Sequence, residues 1–447
     1  MIKHLLTFII LLSISIGIHA QETNILPNTI HQKKLPNGLN VVTVPYSSPG
    51  IAAFYIVMRV GSRDEIEPGK SGFAHFFEHM MFRGTDKYPP LKYQEILKGS
   101  GASANANTSL DRTVYHITGN AEMLETLFDL ESDRFMNLKY SLQQFKTEAG
   151  AVKGEYTKNS ASPYTQLNEK IADAAFDKHT YKHTTMGFFN DIVDMPNQYD
   201  YSIQFFKRFY RPEYATIIVV GDVTPEKVNM LAEKYFGVWT RGNYVSKIEA
   251  EPAQTSTRKT HIQVPGFPPA LTLNFKGPAY SDNNNDMQAI DLLNAILFSE
   301  KSSLYNKLVV KEQKLRGLDG SANNTIDPYL IEISASLVGK ADLQYVKDEI
   351  IDAIEIAKKT PVDPKELSDA KMRLRYGFAM GIDSPTRIAE ALSAYTWVTG
   401  NPESINTAYR VYEKVTAEDI MRVAAKYYVT SSLTIGTISD DATSPVN

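Results

Sequence analysis

Two histidines and a glutamate interrupt one of the most apolar stretches of the sequence. The segment HFFEHMMFRG, residues 75–84, places His75, Glu78 and His79 among phenylalanines and methionines. Burying two imidazoles and a carboxylate is costly unless these groups are paired or bind a metal. On a helix, His75 and His79 are i and i+4, so both rings project from one face about 6 Å apart. That separation is short enough for both rings to hold a single ion, and Glu78 shares the same face.

These residue types favour zinc chemistry. Zinc takes imidazole nitrogen readily and a carboxylate as third ligand, and a catalytic zinc site leaves the fourth position open for water. Glu78 would then lie beside that water as a general base. The order H-x-x-E-H reverses the thermolysin-like H-E-x-x-H and is the inverzincin signature. On the pentapeptide alone, a hydrogen-bonded core pair remains the alternative for His75 and His79.

A third ligand is expected on another element, and QFKTEAGAVKGEYTKN offers one. Glu148 and Glu155 are i and i+7, so their carboxylates lie on one helical stripe. Gly150 and Gly154 weaken a helix unless close packing needs them, and we expect them to let this helix approach the His75 helix. Two solvated glutamates on a surface helix are the alternative.

A second histidine pair, His179 and His183 in HTYKH, has the same i,i+4 spacing. No acidic residue lies between the two, and the surrounding segment is rich in threonine and predicted to be irregular. We therefore predict that this pair is a surface or structural feature rather than a metal site.

The elements that must position these groups are strands and helices in mixed order, which predicts an α+β fold. Asn37-Gly38 is a strong hairpin-turn signal between strand-forming segments, and Ser71 is placed to cap a helix that runs through Phe82, with Gly84 just past its end. Further helices are predicted near LKYQEILKG and over residues 124–136, with an extended segment in ASANANTSLDRTVYHITG.

An internal repeat divides the chain into two similar lobes, each predicted as a mixed, largely antiparallel sheet packed with helices. Aligning Tyr210 with Tyr428 gives an offset of 428 − 210 = 218 and superimposes FYRPEYATIIVVGD on YYVTSSLTIGTISD. The polar stretch 241–260 has the composition of an interdomain linker. We place the boundary near residue 250, with a metal-binding lobe over 21–250 and a second, inactive lobe over 251–447.

Composition excludes several classes of function. With 447 residues, 43% hydrophobic and 22% charged, and a formal net charge of -4, nothing indicates disorder, nucleic-acid binding or a polybasic membrane surface. The chain contains no cysteine, which rules out disulfides and a lipoprotein anchor.

The N-terminus predicts export. Lys3 and His4 precede an apolar run over 5–18, and the small residue Ala20 follows that run, so we expect a cleavable signal peptide over residues 1–20, cut after Ala20. An uncleaved anchor is the alternative. No other stretch is long and apolar enough to span a bilayer, so we expect a periplasmic or secreted protein without stable membrane insertion.

These residues together resemble the pitrilysin and insulysin superfamily of zinc metallopeptidases, and within it the two-lobed subunits of mitochondrial processing peptidase and its bacterial homologues. The family places a glutamate ligand about 76 residues after H-x-x-E-H, and 155 − 79 = 76 falls on Glu155; a second family glutamate, seven residues earlier, falls on Glu148. Other family-like phrases are LPNGLNVV, VGSRDE, EHMMFRGT, SANANTSLDRTVYH, YRPEYATIIVVGD and KSSLYNKLV.

The resemblance implies one zinc ion per chain, held by His75, His79 and Glu155. It implies Glu78 as the base, with Glu148 as a catalytic-site carboxylate that orients a ligand and tunes metal affinity. It also implies that a peptide substrate pairs with an edge strand over Ser103–Thr108, around Asn105 and Ala106. The activity implied is that of a zinc metalloendopeptidase, a hydrolase acting on peptide bonds.

The second half departs from the family pattern. Active members carry an Arg and, seven residues on, a Tyr that hold substrate and stabilise the oxyanion, whereas this chain has Val309 and Arg316 there. In heterodimeric relatives one subunit carries the zinc motif and the other carries this pair. The resemblance therefore implies a homologous partner subunit, as a heterodimer or a homodimer. A non-catalytic assembly or peptide-binding member is the alternative, and a structural zinc site is disfavoured because the chain has no cysteine.

Overall fold

The computed structural model describes residues 24–447, which form two β-sheets surrounded by helices. The expected signal peptide lies outside the described residues. The strands are β1 (His31–Lys34), β2 (Asn40–Pro45), β3 (Ile51–Met58), β4 (Ser103–Thr108), β5 (Thr113–Asn120), β6 (Ala215–Gly221), β7 (Arg258–Gln263), β8 (Ala270–Lys276), β9 (Leu315–Ala322), β10 (Leu330–Leu337) and β11 (Leu433–Ser439).

The helices are distributed along the whole described chain. They are α1 (Phe73–Met80), α2 (Pro90–Gly99), α3 (Leu124–Asn137), α4 (Leu142–Asn159), α5 (Pro163–Ala175), α6 (Phe189–Asp194), α7 (Tyr199–Phe209), α8 (Pro225–Phe236), α9 (Asp286–Phe298), α10 (Ser303–Tyr305), α11 (Leu343–Ala357), α12 (Pro364–Gly381), α13 (Pro385–Thr399), α14 (Ser404–Lys414) and α15 (Ala417–Tyr427). No helix within residues 24–447 is both long enough and apolar enough to cross a bilayer.

The two sheets repeat one topology, which confirms the predicted α+β fold with two similar lobes. The first sheet has the order β1-β2-β6-β3-β5-β4 and the second β7-β11-β8-β10-β9. Strand β2 pairs with β6 in parallel, as β7 does with β11, and the other pairings are antiparallel. Strands β6 and β11 are fully buried and start 433 − 215 = 218 residues apart, the offset of the sequence repeat. Residues 241–257 form no helix or strand, and the lobe boundary near residue 250 stays a prediction.

Each lobe contributes one helix that packs on the sheet of the other lobe. Helix α5 of the first lobe packs on β7 and β11, and α13 of the second lobe packs on β3 and β6. Apolar side chains fill both contacts: Ile171 and Ile438 belong to one buried cluster, and Leu392 and Val220 belong to the other. This exchange covers one face of each sheet and leaves the opposite face to helices of its own lobe.

A charged cluster also joins the lobes. Arg63 Nε donates to Asp327 Oδ2 at 2.6 Å, and His179 Nε2 lies 2.9 Å from the same oxygen. Both His179 and His183 are buried, and His183 Nδ1 lies 3.0 Å from the carbonyl oxygen of Thr184. The second histidine pair is therefore structural.

Local predictions near the first histidine pair are partly confirmed. The hairpin between β1 and β2 forms around Asn37-Gly38, with Gly38 at φ 96. Helix α1, however, begins at Phe73 behind Gly72 and ends at Met80, followed by a 3-10 turn through Arg83. The prediction that Ser71 caps this helix is wrong, because its hydroxyl donates to Asp191 at 2.6 Å.

Gly72 occupies the start of α1 for steric reasons. Its φ of 90 lies in the left-handed region, and a Cβ added there would meet Ile192 Cδ1 at 2.4 Å. Glycine at this position therefore lets the backbone turn into α1 without a clash against Ile192.

Candidate metal centre

Helices α1 and α4 build the site by packing side by side. On α1, the apolar side chains of Phe73, Phe76 and Phe77 are buried, so the helix is fixed in the core of the first lobe. Phe76 meets Phe145 of α4 with ring centroids 5.0 Å apart. Ser141 and Gln144 form a capping box that fixes the start of α4. The stripe of α4 that begins at Phe145 therefore faces the histidines of α1.

The glycines of α4 do not make this approach possible. Gly150 and Gly154 are exposed, and a Cβ added at either would meet nothing within 4 Å. The expectation that they permit close packing is wrong, because they lie on the solvent side of α4. Buried Ala149 and Val152 lie on the packed side instead.

The structure brings His75, His79 and Glu155 together. One potential ligand atom from each lies within 4.8 Å of the others, and this is the one such cluster of three found within residues 24–447. His79 Nε2 is 3.2 Å from Glu155 Oε2, and His75 Nε2 is 3.7 Å from that oxygen. Ligands bonded to zinc at 2.0–2.2 Å in a tetrahedron lie about 3.4 Å apart, so these three groups fit the ion.

Glu148 holds the far side of the His79 ring. Its Oε1 lies 3.0 Å from His79 Nδ1, and Arg83 Nε donates to its Oε2. Burial raises the pKa of Glu148, but the hydrogen bonds from His79 and Arg83 outweigh it and leave the pKa below its ordinary value. The hydrogen bond that His79 donates to Glu148 raises the pKa of His79 despite partial burial. A carboxylate bound to the outer nitrogen fixes the ring and directs Nε2 towards Glu155.

His75 is held in its neutral form. Burial first, and then the neighbouring His79, lower the pKa of His75 to about 4. A neutral imidazole is the form that coordinates a metal. Its Nδ1 is buried and has no hydrogen-bond partner among the described residues, so packing alone sets the orientation of this ring.

Glu78 lies beside the cluster and is bound to the end of β4. The hydroxyl of Thr108 donates to Glu78 Oε2 at 2.6 Å. Burial raises the pKa of Glu78 above its ordinary value, against the opposing effect of that bond and of His79. A carboxyl with a raised pKa is suited to taking up and returning a proton near neutral pH.

Strand β4 is the outer strand of the first sheet, so one of its backbone edges has no strand partner in the sheet. Asn105 is exposed, whereas Ala106 is only 7% exposed and belongs to the same core as α1. The structure thus places both residues on an edge strand beside the cluster. Their part in binding substrate stays a prediction.

Sequence reasoning did not single out Arg83 or the bond from Thr108 to Glu78. Arg83 lies four residues after His79, so the same i,i+4 argument could have placed it near Glu148, the partner of the His79 ring.

In the second lobe, Val309 is half-buried in a π-helical turn over Asn306–Lys311, and Arg316 is exposed on β9.

Two family models match the chain in order. The model described as insulinase, peptidase family M16, matches residues 41–187, and the model described as peptidase M16 inactive domain matches residues 198–374. The chain therefore belongs to peptidase family M16, which agrees with its two-lobed fold and with the cluster of His75, His79 and Glu155.

The relatives carry corresponding names. Zinc protease PqqE of Helicobacter pylori is 28% identical over 437 residues, which cover 95% of this chain and 95% of the relative. An uncharacterized zinc protease of Rickettsia bellii is 24% identical over 403 residues, covering 89% of this chain and 95% of the relative.

Solved structures agree on the fold. The crystal structure of a protease from Helicobacter pylori matches with a TM-score of 0.85 and 25% identity, over 92% of this chain and 99% of the other. The periplasmic protease PqqL from Escherichia coli matches with a TM-score of 0.74 and 18% identity, over 94% of this chain and 49% of PqqL.

Proposed function

We propose that this chain is a zinc-dependent endopeptidase that hydrolyses peptides or unfolded segments. The observation that carries the proposal is the convergence of His75, His79 and Glu155 on one point, with Glu78 beside them. Membership of the M16 family and relatives named zinc proteases support the same activity.

The ion would be held by His75, His79 and Glu155, one per chain, and when bound it would supply Lewis acidity for activating water. Glu78 would take a proton from the attacking water and return it to the leaving amine. Thr108 holds that carboxylate in position through its 2.6 Å hydrogen bond. Glu148 holds His79 through Nδ1, and Arg83 donates to the other oxygen of Glu148, which favours the ionised carboxylate beside the proposed cation site.

A peptide is proposed to add to the open edge of β4. Backbone groups of an edge strand pair with an extended chain, which suits segments without stable structure of their own. The exposed Asn105 can hydrogen-bond that chain, and the buried Ala106 keeps the strand close to α1. The scissile bond would then lie near Glu78, at the Thr108 end of the strand.

A homologous subunit is proposed to complete the site. The family's Arg and Tyr are replaced here by Val309 and Arg316, so the chain lacks those groups for the oxyanion. Losing one oxyanion donor typically costs about 10²–10³ in rate, so the chain alone would turn over slowly. The apolar N-terminal segment supports a periplasmic or secreted location for this chain.

The competing function is a non-catalytic assembly or peptide-binding member of the family. The full set of His75, Glu78, His79 and Glu155 argues against it, since a purely structural member has no use for a base beside a metal cluster. The test is cleavage of a mixed pool of unstructured peptides by the zinc-loaded chain, read by mass spectrometry. Cleavage that is lost in Glu78→Gln supports the peptidase. A homologous chain that carries the Arg and Tyr is then added to the same peptide pool. If no peptide is cleaved even then, the chain is the non-catalytic member of the family.

A further inference from the structure

A cavity of about 440 Å³ opens between the lobes at one end of the second sheet. Its wall includes Gln254 before β7, Lys276 at the end of β8, Asp327 before β10 and Ser432 before β11. His179 of the first lobe also contributes to the wall. The proposed peptide hydrolysis uses none of these residues.

Lys276 brings a buried ammonium group to this wall without a counter-charge. Its Nζ has no hydrogen-bond partner, and no carboxylate oxygen of the described residues lies within 4.0 Å of it. Instead, Nζ lies over the ring of Phe176, 3.3 Å from the ring centroid. Burial lowers the pKa of Lys276 to about 8, as expected for a desolvated charge that its surroundings do not balance.

The acids whose charges reach Lys276 are bound to other groups. They are Glu251 and Asp177. Glu251 accepts hydrogen bonds from the consecutive backbone N–H groups of residues 177–179, at 2.8, 2.9 and 3.0 Å. Asp177 is paired with Arg258, with Nη2 and Oδ2 2.6 Å apart. Neither carboxylate is free to turn to the ammonium, which therefore favours an anion from outside the chain.

Gln254 supplies a second group without a partner. Its side chain is only 8% exposed, and its Nε2 donates to the carbonyl oxygens of Ser256 at 3.0 Å and Leu433 at 2.9 Å. These two bonds fix the amide, and its Oε1 is buried with no hydrogen-bond partner in the described part of the chain. An unsatisfied buried acceptor is costly, and a donor on a ligand would remove that cost.

The strand register relates the two unpartnered groups. Leu433, whose carbonyl binds the Gln254 amide, pairs with Phe275, the residue before Lys276. Gln254 leads into β7, and β11 lies between β7 and β8. The backbones of Gln254 and Lys276 are therefore separated by about two strand spacings, roughly 10 Å. A ligand with a chain of about six carbon atoms can reach from one group to the other.

Apolar surface forms much of the remaining wall, and it is exposed to solvent. The residues that provide it are Ala250, Pro252, Ala253, Pro328 and Val429. Hydrocarbon on a ligand would remove this surface from water, which is favourable. Phosphate groups are usually held by several backbone N–H groups or by arginine, whereas a single ammonium beside apolar surface suits a carboxylate with a hydrocarbon body.

We infer that this cavity binds a small organic acid, whose carboxylate pairs with Lys276 and whose hydrocarbon chain covers the apolar wall. The lysine stem is flexible, so its ammonium can turn from the Phe176 ring to the carboxylate. A hydroxyl at the far end of the ligand would donate to Gln254 Oε1. The carboxylate has two possible sources, a free organic acid and the C-terminus of a short peptide.

Direct binding tests the inference without any need for turnover. Isothermal titration of the full chain with hexanoate is expected to show saturable binding, whereas 1-hexanol, which lacks the carboxylate, does not bind. Lys276→Met is expected to weaken hexanoate binding about tenfold or more, and Lys276→Arg, which keeps the charge, retains most of the affinity. Lys247→Met removes an exposed ammonium from the stretch 241–257 and is the matched control. Lys276→Gln is the second variant, and urea unfolding of each variant verifies that it is folded.

Two further ligands refine the assignment. 6-Hydroxyhexanoate is expected to bind more tightly than hexanoate, and equal affinities would overturn the part assigned to Gln254. A dipeptide of alanine and leucine is compared with its C-terminal amide. A preference for the free acid that Lys276→Met abolishes identifies a peptide C-terminus, and hexanoate binding without this preference identifies a free organic acid.

Two results would overturn the inference as a whole. One is that neither hexanoate nor the dipeptide binds better than its uncharged match. The other is that Lys276→Met and Lys276→Gln bind hexanoate like the parent, because the acid then lies at another site, such as the proposed metal centre. The inference does not rest on the peptidase proposal, and since its readouts are affinities that depend on Lys276, its failure leaves that proposal to its own test.

Discussion

Nδ1 of His79 and Oε1 of Glu148 lie 3.0 Å apart across the gap between α1 and α4. The contact ties a proposed zinc ligand to a buried carboxylate, which Arg83 also binds. The ring of His79 cannot turn without breaking this bond, so its other nitrogen stays directed at Glu155. The metal centre thus depends on the packing of two helices as well as on the ligands themselves.

Replacing Glu148 by glutamine is expected to weaken zinc binding roughly 10–100-fold without removing a ligand. The neutral amide lowers the basicity of His79 and binds Arg83 less strongly. Competition with a chelator measures the change, and Glu95→Gln on exposed α2 serves as the control. Equal zinc affinity in Glu148→Gln and the control would show that this contact does not support the ligand.

Removing the Thr108 hydroxyl is expected to lower kcat about tenfold while zinc content stays unchanged. Thr108→Val keeps the shape of the side chain but removes the donor to Glu78. Thr108→Ser restores the donor and is expected to recover most of the activity. The experiment needs both variants, with zinc measured in each. A kcat for Thr108→Val equal to that of the parent would rule out a positioning role.

Installing the family's pair should raise the activity of the chain on its own. The double change Val309→Arg with Arg316→Tyr is expected to increase peptide turnover by about tenfold or more if the missing oxyanion donors limit the rate. Val310→Arg, at the neighbouring 57% exposed position, adds the same charge without matching the pattern. An increase in the double variant that Val310→Arg does not share supports the account. Unchanged turnover would mean that these positions do not correspond to the family's pair.

The contact between the lobes at Asp327 should make stability fall in acid. Burial opposes ionisation of Asp327, but bonds from His179 and Arg63 hold its pKa at about 2, below the ordinary 3.8. The stabilisation is therefore complete above about pH 4 and is lost as the pH falls through about 2. Allowing for solvent at this part-exposed group, we expect a contribution of about 1–2 kcal/mol.

Urea unfolding between pH 6 and pH 2.5 measures that contribution. Asp327→Asn is expected to unfold at lower urea at pH 6 and to show a flatter decline in acid than the parent. Asp319→Asn, on the exposed side of β9, is the control. If both variants follow the parent at every pH, the cluster of Asp327, Arg63 and His179 contributes nothing measurable.

Much of the site could be predicted because its key spacing is local. His75, Glu78 and His79 share one short helix, and the i,i+4 rule alone puts the two rings on one face. Glu155 lies on another helix, where periodicity offered it only as a candidate beside solvated alternatives, and the family's 76-residue spacing was what singled it out. The repeat offset of 218 was likewise readable, since β6 and β11 carry similar apolar runs at that distance.

Local sequence patterns could not predict contacts between residues that are far apart in the sequence. Periodicity could not say which face of α4 would be covered, and Gly150 and Gly154 turned out to lie on the solvent side. Ser71 looked like a helix cap, but Asp191, 120 residues later, takes its hydroxyl. The exchange of α5 and α13 between lobes depends on how two finished sheets pack, and no local pattern encodes it.

Zinc content tests the central claim most directly. The purified full chain is loaded with zinc, freed of excess metal and measured by mass spectrometry of the metal per mole of protein. We predict about one zinc per chain in the parent and in Glu78→Gln, and little or none in His79→Ala or Glu155→Ala. A parent chain without bound zinc would contradict the account, as would a His79→Ala variant that keeps the full amount.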